Sequence, residues 1–200
     1  MSAPLGVVLA GGLATRMGGG DKGRLMIGNT TLLDLVIERL SPQVAGLALN
    51  ANGDPARFND IGLPVLADTI SEYPGPLAGV LAGLDWAAGQ GASHIVTAAA
   101  DTPFFPADLV PRLMLAAETE DKPIALARTA NGRHPTFGLW PVSLRDDLRR
   151  ALGDGVRKVV QWTDAHGTAY ADFPTDRFDP FFNVNTPDDL AQAEHLRDGT

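Results

Sequence analysis

Two hundred residues, 44% of them apolar and 20% charged, supply enough chain for one domain with a sizeable core and exclude intrinsic disorder. The 24 acidic against 16 basic residues leave a formal net charge of −8, so no global positive field draws in a nucleic acid; an anionic ligand needs a local cluster of Arg, Lys and backbone N–H groups. The chain has no cysteine, which removes disulfides, thiolate nucleophiles and cysteine-built zinc or iron–sulfur centres.

The opening MSAPLGVVLAGG has no basic region, and its apolar run breaks into glycine after about half a dozen residues, short for a signal segment or a membrane span. The expected address is the cytoplasm, without membrane contact. Leu5–Ala10, Leu47–Asn50, Val65–Ala67 and His94–Ala99 read as buried strands bounded by Gly, Pro or Asp. Between them, 31–40 carries a helical stripe of Leu32, Leu33, Val36, Ile37 and Leu40, with Asn29 or Thr30 as its N-cap. Pro76 opens a second helix, 76–88, whose small residues suit close packing on a sheet, and 108–118 forms a third after Pro106. Strands alternating with helices of this length imply βαβ crossovers, hence a mainly parallel sheet covered on both faces: an α/β chain in one domain spanning 1–200. Beyond Pro123 the pattern loosens: 124–127 and 136–140 read as strands, 144–152 and 156–163 as helices and 169–173 as a late strand, in no determined order. The last helix, 186–196, has Thr186 as N-cap, Pro187 at its first position, and Asp188 and Asp189 at the positive end of its dipole.

In an open parallel sheet, ligands sit outside the carboxyl ends of the strands, so residues just after Ala10, Asn50, Ala67 and Ala100 share one crevice. After the first strand comes a loop from Gly11 and Gly12 through Thr15, Arg16 and Gly18 to Asp21 and Lys22. Its glycines let backbone N–H groups approach a phosphate, and Arg16 and Lys22 bring positive charge to the same anion; the plain alternative is a surface loop that merely turns the chain. A Walker A loop is excluded, because Asp21 precedes Lys22 and Gly23 follows it where a hydroxyl residue is needed. Gly18, Gly20 and Gly23 match G-x-G-x-x-G by letter, but too far from the strand and with no helix directly following, which argues against a dinucleotide site.

Asp101, at the end of the fourth strand, offers hard oxygen to Mg²⁺ or, in the plain reading, caps a turn. Asn50 is placed to bond a base or ribose, whereas Asn52, in an Asn-Gly pair, reads better as a turn residue. Asp68, just after the third strand, is placed to accept from a base N–H or to hold a ribose, or caps the turn over 69–72. No second histidine lies near His134, so a metal role is poor there; Arg128, Arg133 and His134 read as contacts to a second anionic substrate. Asn183 and Asn185 either shape the turn before the last helix or reach phosphate or metal from its N-terminal end.

These blocks are recognisable in combination. Leu9-Ala10-Gly11-Gly12, Thr15-Arg16-Met17-Gly18 and Asp21-Lys22-Gly23, then Leu49-Asn50-Ala51-Asn52, Asp68 with 73–79, Asp101-Thr102-Pro103, His134-Pro135-Thr136 and 182–190 resemble, in order, the molybdenum cofactor guanylyltransferases. Two departures stand out: Ala98-Ala99-Ala100 replaces a frequent Pro-Cys pair, and Gly53-Asp54 replaces a more usual Arg. The resemblance implies a three-layer α/β/α Rossmann-like nucleotidyltransferase fold with a mostly parallel central sheet. It implies that the N-terminal part binds GTP through Leu9, Ala10, Gly11, Gly12, Lys22, Asn50, Asp68 and Asp101, with Mg²⁺ on Asp101. Arg16, Lys22 and Asp101 would carry catalysis, and the C-terminal part would bind molybdopterin through Arg133, His134, Asn183 and Asn185. The implied reaction transfers GMP from GTP to the terminal phosphate of molybdenum-molybdopterin. A monomer in transient contact with cofactor-synthesis or acceptor proteins is expected. Two rivals remain: a CTP-dependent cytidylyltransferase on the same cofactor, disfavoured by Ala10-Gly11-Gly12 and Asp21, and a non-catalytic nucleotide-binding module, disfavoured because Lys22 and Asp101 are both present.

Overall fold

Val7 and Val8 are neighbours in the chain yet bury in opposite layers, the period-two geometry of an apolar strand covered on both faces. The protein is described here by a computed structural model over residues 2–11, 21–70 and 75–198. Among these residues the strands are β1 Leu5–Leu9, β2 Met26–Ile27, β3 Thr30–Thr31, β4 Leu47–Asn50, β5 Val65–Leu66, β6 His94–Ala99, β7 Ile124–Thr129, β8 Gly132–Pro141 and β9 Thr168–Asp172. Seven of them form one sheet in the order β5-β4-β1-β6-β8-β7-β9, and β2 pairs with β3 separately. Within that sheet, strand β8 runs antiparallel to both β6 and β7, while the remaining pairs are parallel. The mostly parallel three-layer architecture is therefore present.

Helices α1 Leu32–Leu40, α2 Pro76–Gly89, α3 Leu109–Thr119, α4 Arg145–Gly153, α5 Val159–His166 and α6 Pro187–Asp198 follow the expected order. Leu33, Val36 and Leu40 of α1 and Leu109, Val110 and Leu113 of α3 pack with Val8, Val96 and Ala125 on one face. Leu77, Leu81 and Leu84 of α2, Leu148 and Leu152 of α4, and Trp162 of α5 pack with Val7, Ile95 and Leu126 on the other. A smaller cluster joins Ile27, Leu32, Phe104, Val184 and Ala193, tying α6 to the β2–β3 hairpin.

The departures from expectation are local. The N-cap of α1 is Thr31, not Asn29 or Thr30: its hydroxyl accepts the Asp34 N–H at 3.0 Å while the Asp34 carboxylate accepts the Thr31 N–H, a reciprocal capping box. Thr30 is instead paired with Ile27 in the hairpin, which turns at Gly28 with φ +60. Helix α5 begins at Val159, three residues later than the apolar pattern suggests. Val156 closes the end of α4 by donating to the Ala151 carbonyl, and Gly155 takes φ +92, so the chain must extend again before another helix starts. In β8 the ladder slips between Leu126 and Ala127: Ala127 faces His134 but Leu126 faces Gly138, so Pro135 to Phe137 bulge out. Pro135 has no N–H to give to the ladder.

Candidate nucleotide cleft

The chain leaves β1, builds β4 and β5 on one side of it, and returns through α2 to place β6 on the other side. The carboxyl ends of β1 and β6 therefore flank a topological switch, where an open α/β sheet holds its ligand. A cleft of about 330 Å³ lies there, lined by Leu9, Ala10 and Gly11 after β1, Asn50 and Asp68 at the ends of β4 and β5, and Lys22 and Asp101 opposite. Among the described residues that line it, Lys22 is the one cation, and Asp68 and Asp101 are the carboxylates.

At one end, the Lys22 ammonium donates to Asp101 Oδ2 at 3.4 Å and to Asn185 Oδ1. Asp101 follows β6, and its carbonyl accepts the Val184 N–H at 2.9 Å, which fastens the segment before α6 to this strand end. The Thr102 hydroxyl, fully buried, donates to Asn183 Oδ1 and lies 3.2 Å from Asp101 Oδ1. Asn185 is held in turn by Asp189, whose carboxylate accepts the Asn185 and Thr186 N–H groups; those bonds hold its pKa below the usual carboxylate range. Three chain segments thus converge on one carboxylate, one ammonium and two carboxamides. Among the described residues the Asp101 carboxylate takes only side-chain donors, and α3 starts eight residues later with Asp108 at its N-cap, so Asp101 does not cap that helix. A single carboxylate beside carboxamide oxygens, in an open cleft, suits a divalent cation that takes its remaining ligands from an anionic ligand and water. Among the described residues no group of three His, Cys, Asp or Glu side chains could cage a metal without such a ligand.

At the other end, Asn50 is buried and donates through Nδ2 to the Leu66 carbonyl at 3.1 Å and to Asp68 Oδ1 at 2.9 Å. Helix α2 can lie this close because Gly79 has no side chain; a Cβ there would stand 2.3 Å from Asn50 Oδ1 and 2.8 Å from Leu9 Cδ2. Asn52, which reads as a turn residue in the sequence, puts its amide on Asp68 as well. Thr136 also lines the cleft; its carbonyl accepts from the buried Thr97 hydroxyl, whose oxygen accepts from Trp140 Nε1. Periodicity had no means of assigning Thr136, because the bulge sets its direction.

Gly12 and Arg16 lie outside the described residues. Arg133 and His134 are not brought to one ligand. Adjacent strand residues point to opposite faces, and Arg133 turns toward α5, where it pairs with Asp164 at 3.2 Å and lies over the Tyr170 ring. Arg128 covers the same ring and forms a bidentate pair with Asp172. Neither arginine lines the cleft; each pairs with an exposed carboxylate outside it. His134 instead stacks on Phe181 with centroids 4.3 Å apart, its Nε2 2.9 Å from the Thr129 hydroxyl. Burial holds its pKa below the ordinary 6.5, opposed by the nearby Asp179 carboxylate. The folded protein therefore takes up this proton at lower pH than the unfolded chain does, so the stability it contributes is whole above about pH 6.5 and is lost as pH falls below it. His134→Gln is expected to flatten the fall in melting temperature between pH 7.5 and 5.5; an unchanged slope would contradict this.

The family model of the MobA-like NTP transferase domain matches residues 6–169, which include both sides of the cleft. The chain belongs to that family. It is 55% identical over 97% of its length to a molybdenum cofactor guanylyltransferase of Rhodopseudomonas palustris, covering 92% of that protein. It is 53% identical over 96% of its length to one of Mesorhizobium japonicum, covering 94%. Among solved structures, the molybdopterin-guanine dinucleotide biosynthesis protein A of Archaeoglobus fulgidus superposes with a TM-score of 0.76 at 25% identity, over 98% of this chain and 100% of that one. A CMP:2-keto-3-deoxy-manno-octonic acid synthetase complexed with CTP shares the fold, with a TM-score of 0.75 at 12% identity. In this MobA-like chain, a cation and a carboxylate stand at one end of the cleft and a carboxylate held between amides at the other. The first pair can neutralise and align phosphates, and the second can accept two N–H donors from a flat ligand. Among the described residues no helix is long and apolar enough to cross a membrane.

Proposed function

We propose that this protein is a molybdenum cofactor guanylyltransferase: it joins GMP from GTP to the terminal phosphate of molybdenum-molybdopterin and releases pyrophosphate. The observation that carries the proposal is the two-ended cleft, with Lys22 and Asp101 at one end and Asn50 and Asp68 at the other. Guanine presents two adjacent donors, its N1–H and its 2-amino group, and a carboxylate has two oxygens with which to accept them. Asp68 takes that role, and Leu9, Ala10 and Gly11 line the cleft beside the nucleoside.

The nucleophile is a phosphate oxygen, already ionised at neutral pH, so no general base is required. That oxygen attacks the α-phosphorus of GTP, a new phosphoanhydride bond forms, and the bond to the β-phosphate bridging oxygen breaks with pyrophosphate as leaving group. Lys22 neutralises charge on the nucleotide phosphates, and its bond to Asn185 holds the ammonium beside Asp101. Asn183 and Asn185, on the segment fastened to Asp101, and His134 at the aromatic cluster are assigned to the molybdopterin side; the C-terminal part then carries the acceptor. Asp101 would hold Mg²⁺, which supplies charge neutralisation between the reacting phosphates when bound. Positioning two polyanions in line is the main task of the remaining residues. Arg16 joins the phosphate end in this proposal.

The test is pyrophosphate release. With Mg²⁺ and GTP present, release is expected only when molybdenum-molybdopterin is added, with CTP a poor replacement. Equal release from CTP would overturn the guanylyl assignment in favour of the cytidylyl one, and no release from any nucleotide would favour a binding module.

A further inference from the structure

We infer that Asn52 is a positioning residue for base selection, acting through Asp68 and pinned in place by Arg57; the inference rests on the reading of Asp68 as the acceptor for guanine. Asp68 follows the two-residue strand β5 and lies in no helix, so its direction must come from its bonds. Two amides hold its carboxylate, one on each oxygen: Asn50 Nδ2 to Oδ1 at 2.9 Å and Asn52 Nδ2 to Oδ2 at 2.8 Å. Asn52 also holds the backbone, since its Oδ1 accepts the Asp68 N–H at 2.9 Å. A backbone N–H can only donate, so this bond fixes which end of the Asn52 amide is oxygen and leaves its NH₂ facing the carboxylate. A carboxylate offers about four lone-pair sites, so one per oxygen remains for a ligand after the two amides are bound.

Asn52 is itself restrained. Its carbonyl accepts from Arg57 Nη2, the same guanidinium lies 4.9 Å over the Phe58 ring, and its Nε stands 3.3 Å from the Asp21 carboxylate. Asp21 immediately precedes Lys22. A continuous line of contacts thus runs from Asp68 through Asn52, Arg57 and Asp21 to the residue beside the phosphate-neutralising ammonium. The turn does not need the Asn52 side chain, because the left-handed backbone falls on Gly53 with φ +87. Nor does packing need it, because Asn52 is exposed. What its side chain does is orient Asp68.

Equilibrium binding of GTP, ATP, CTP and UTP to the full chain with Asn52→Ala, Asp68→Ala and the double variant tests this, together with thermal melts. Asn52→Ala is expected to melt as the parent does and to weaken GTP by about ten- to a hundredfold, the loss associated with a hydrogen bond to a charged group. ATP, CTP and UTP should change little, so that GTP selectivity falls by the same factor. On the Asp68→Ala background, Asn52→Ala should add almost nothing, because the group it orients is gone. Unaltered GTP selectivity in Asn52→Ala, an equal loss for all four nucleotides, or full additivity with Asp68→Ala would each overturn the inference. A parent protein without GTP preference defeats the functional reading and the inference with it, whereas a GTP-selective parent with an unaffected Asn52→Ala defeats the inference alone.

Discussion

Asp101→Ala is expected to lower turnover by on the order of a thousandfold or more while the protein melts close to the parent temperature. The size follows from removing the carboxylate that, among the described residues, lines the cleft beside Lys22 and is proposed to hold a cation supplying several kcal/mol of transition-state stabilisation. The near-normal melt follows from what Asp101 does not do. Its contact with Lys22 is a partly exposed pair at 3.4 Å, worth about 0–1 kcal/mol, and its backbone carbonyl keeps the Val184 N–H whatever the side chain. Thr102 retains Asn183 as a partner, so no buried hydroxyl is orphaned. A variant that melts well below the parent yet keeps its activity and magnesium dependence would mean that the carboxylate supports the fold and not the chemistry.

Lys22→Ala is expected to weaken nucleotide binding and turnover together, each by roughly ten- to a hundredfold, because an ammonium that neutralises phosphate acts in both the ground and the transition state. The loss also removes the cation that joins Asp101 to Asn185, so strand β6 and the segment before α6 no longer share a charged link at the cleft. Lys22→Arg should restore binding only in part, since a planar fork does not reproduce a compact ammonium held by one carboxylate and one carboxamide. Kinetics in which KM and kcat both stay at the parent values would show Lys22 to be a solvated loop residue.

The residues that could be read in advance are those whose place follows from the sheet alone. Gly11, Asn50, Asp68 and Asp101 stand at or just after strand ends, and in a parallel sheet those ends share one side, so four separate stretches of chain could be assigned to one crevice before any contact was known. The α6 N-terminus was legible for the same kind of reason: Thr186, Pro187 and Asp189 form a local signal, and the Thr186 hydroxyl accepts the Asp189 N–H at 3.2 Å. The pairing of Arg133 with Asp164 was not legible, because which face a strand residue takes depends on register, and β8 carries a bulge beside two antiparallel neighbours. Asn52 escaped for another reason. Asn-Gly announces a turn, and the turn is there, but a turn signal says nothing about where the asparagine amide points. The β2–β3 hairpin was missed because strands of two residues are too short to show alternation.

One cleft is proposed to select guanine at one end and to neutralise phosphate at the other. Titration of the protein with GTP, ATP, CTP and UTP, each with Mg²⁺ present, distinguishes this from a cleft without base preference. The expected result is a GTP affinity at least about tenfold above the other three, the equivalent of one hydrogen bond to a charged group. Equal affinity for all four nucleotides, or a preference for CTP, would contradict it.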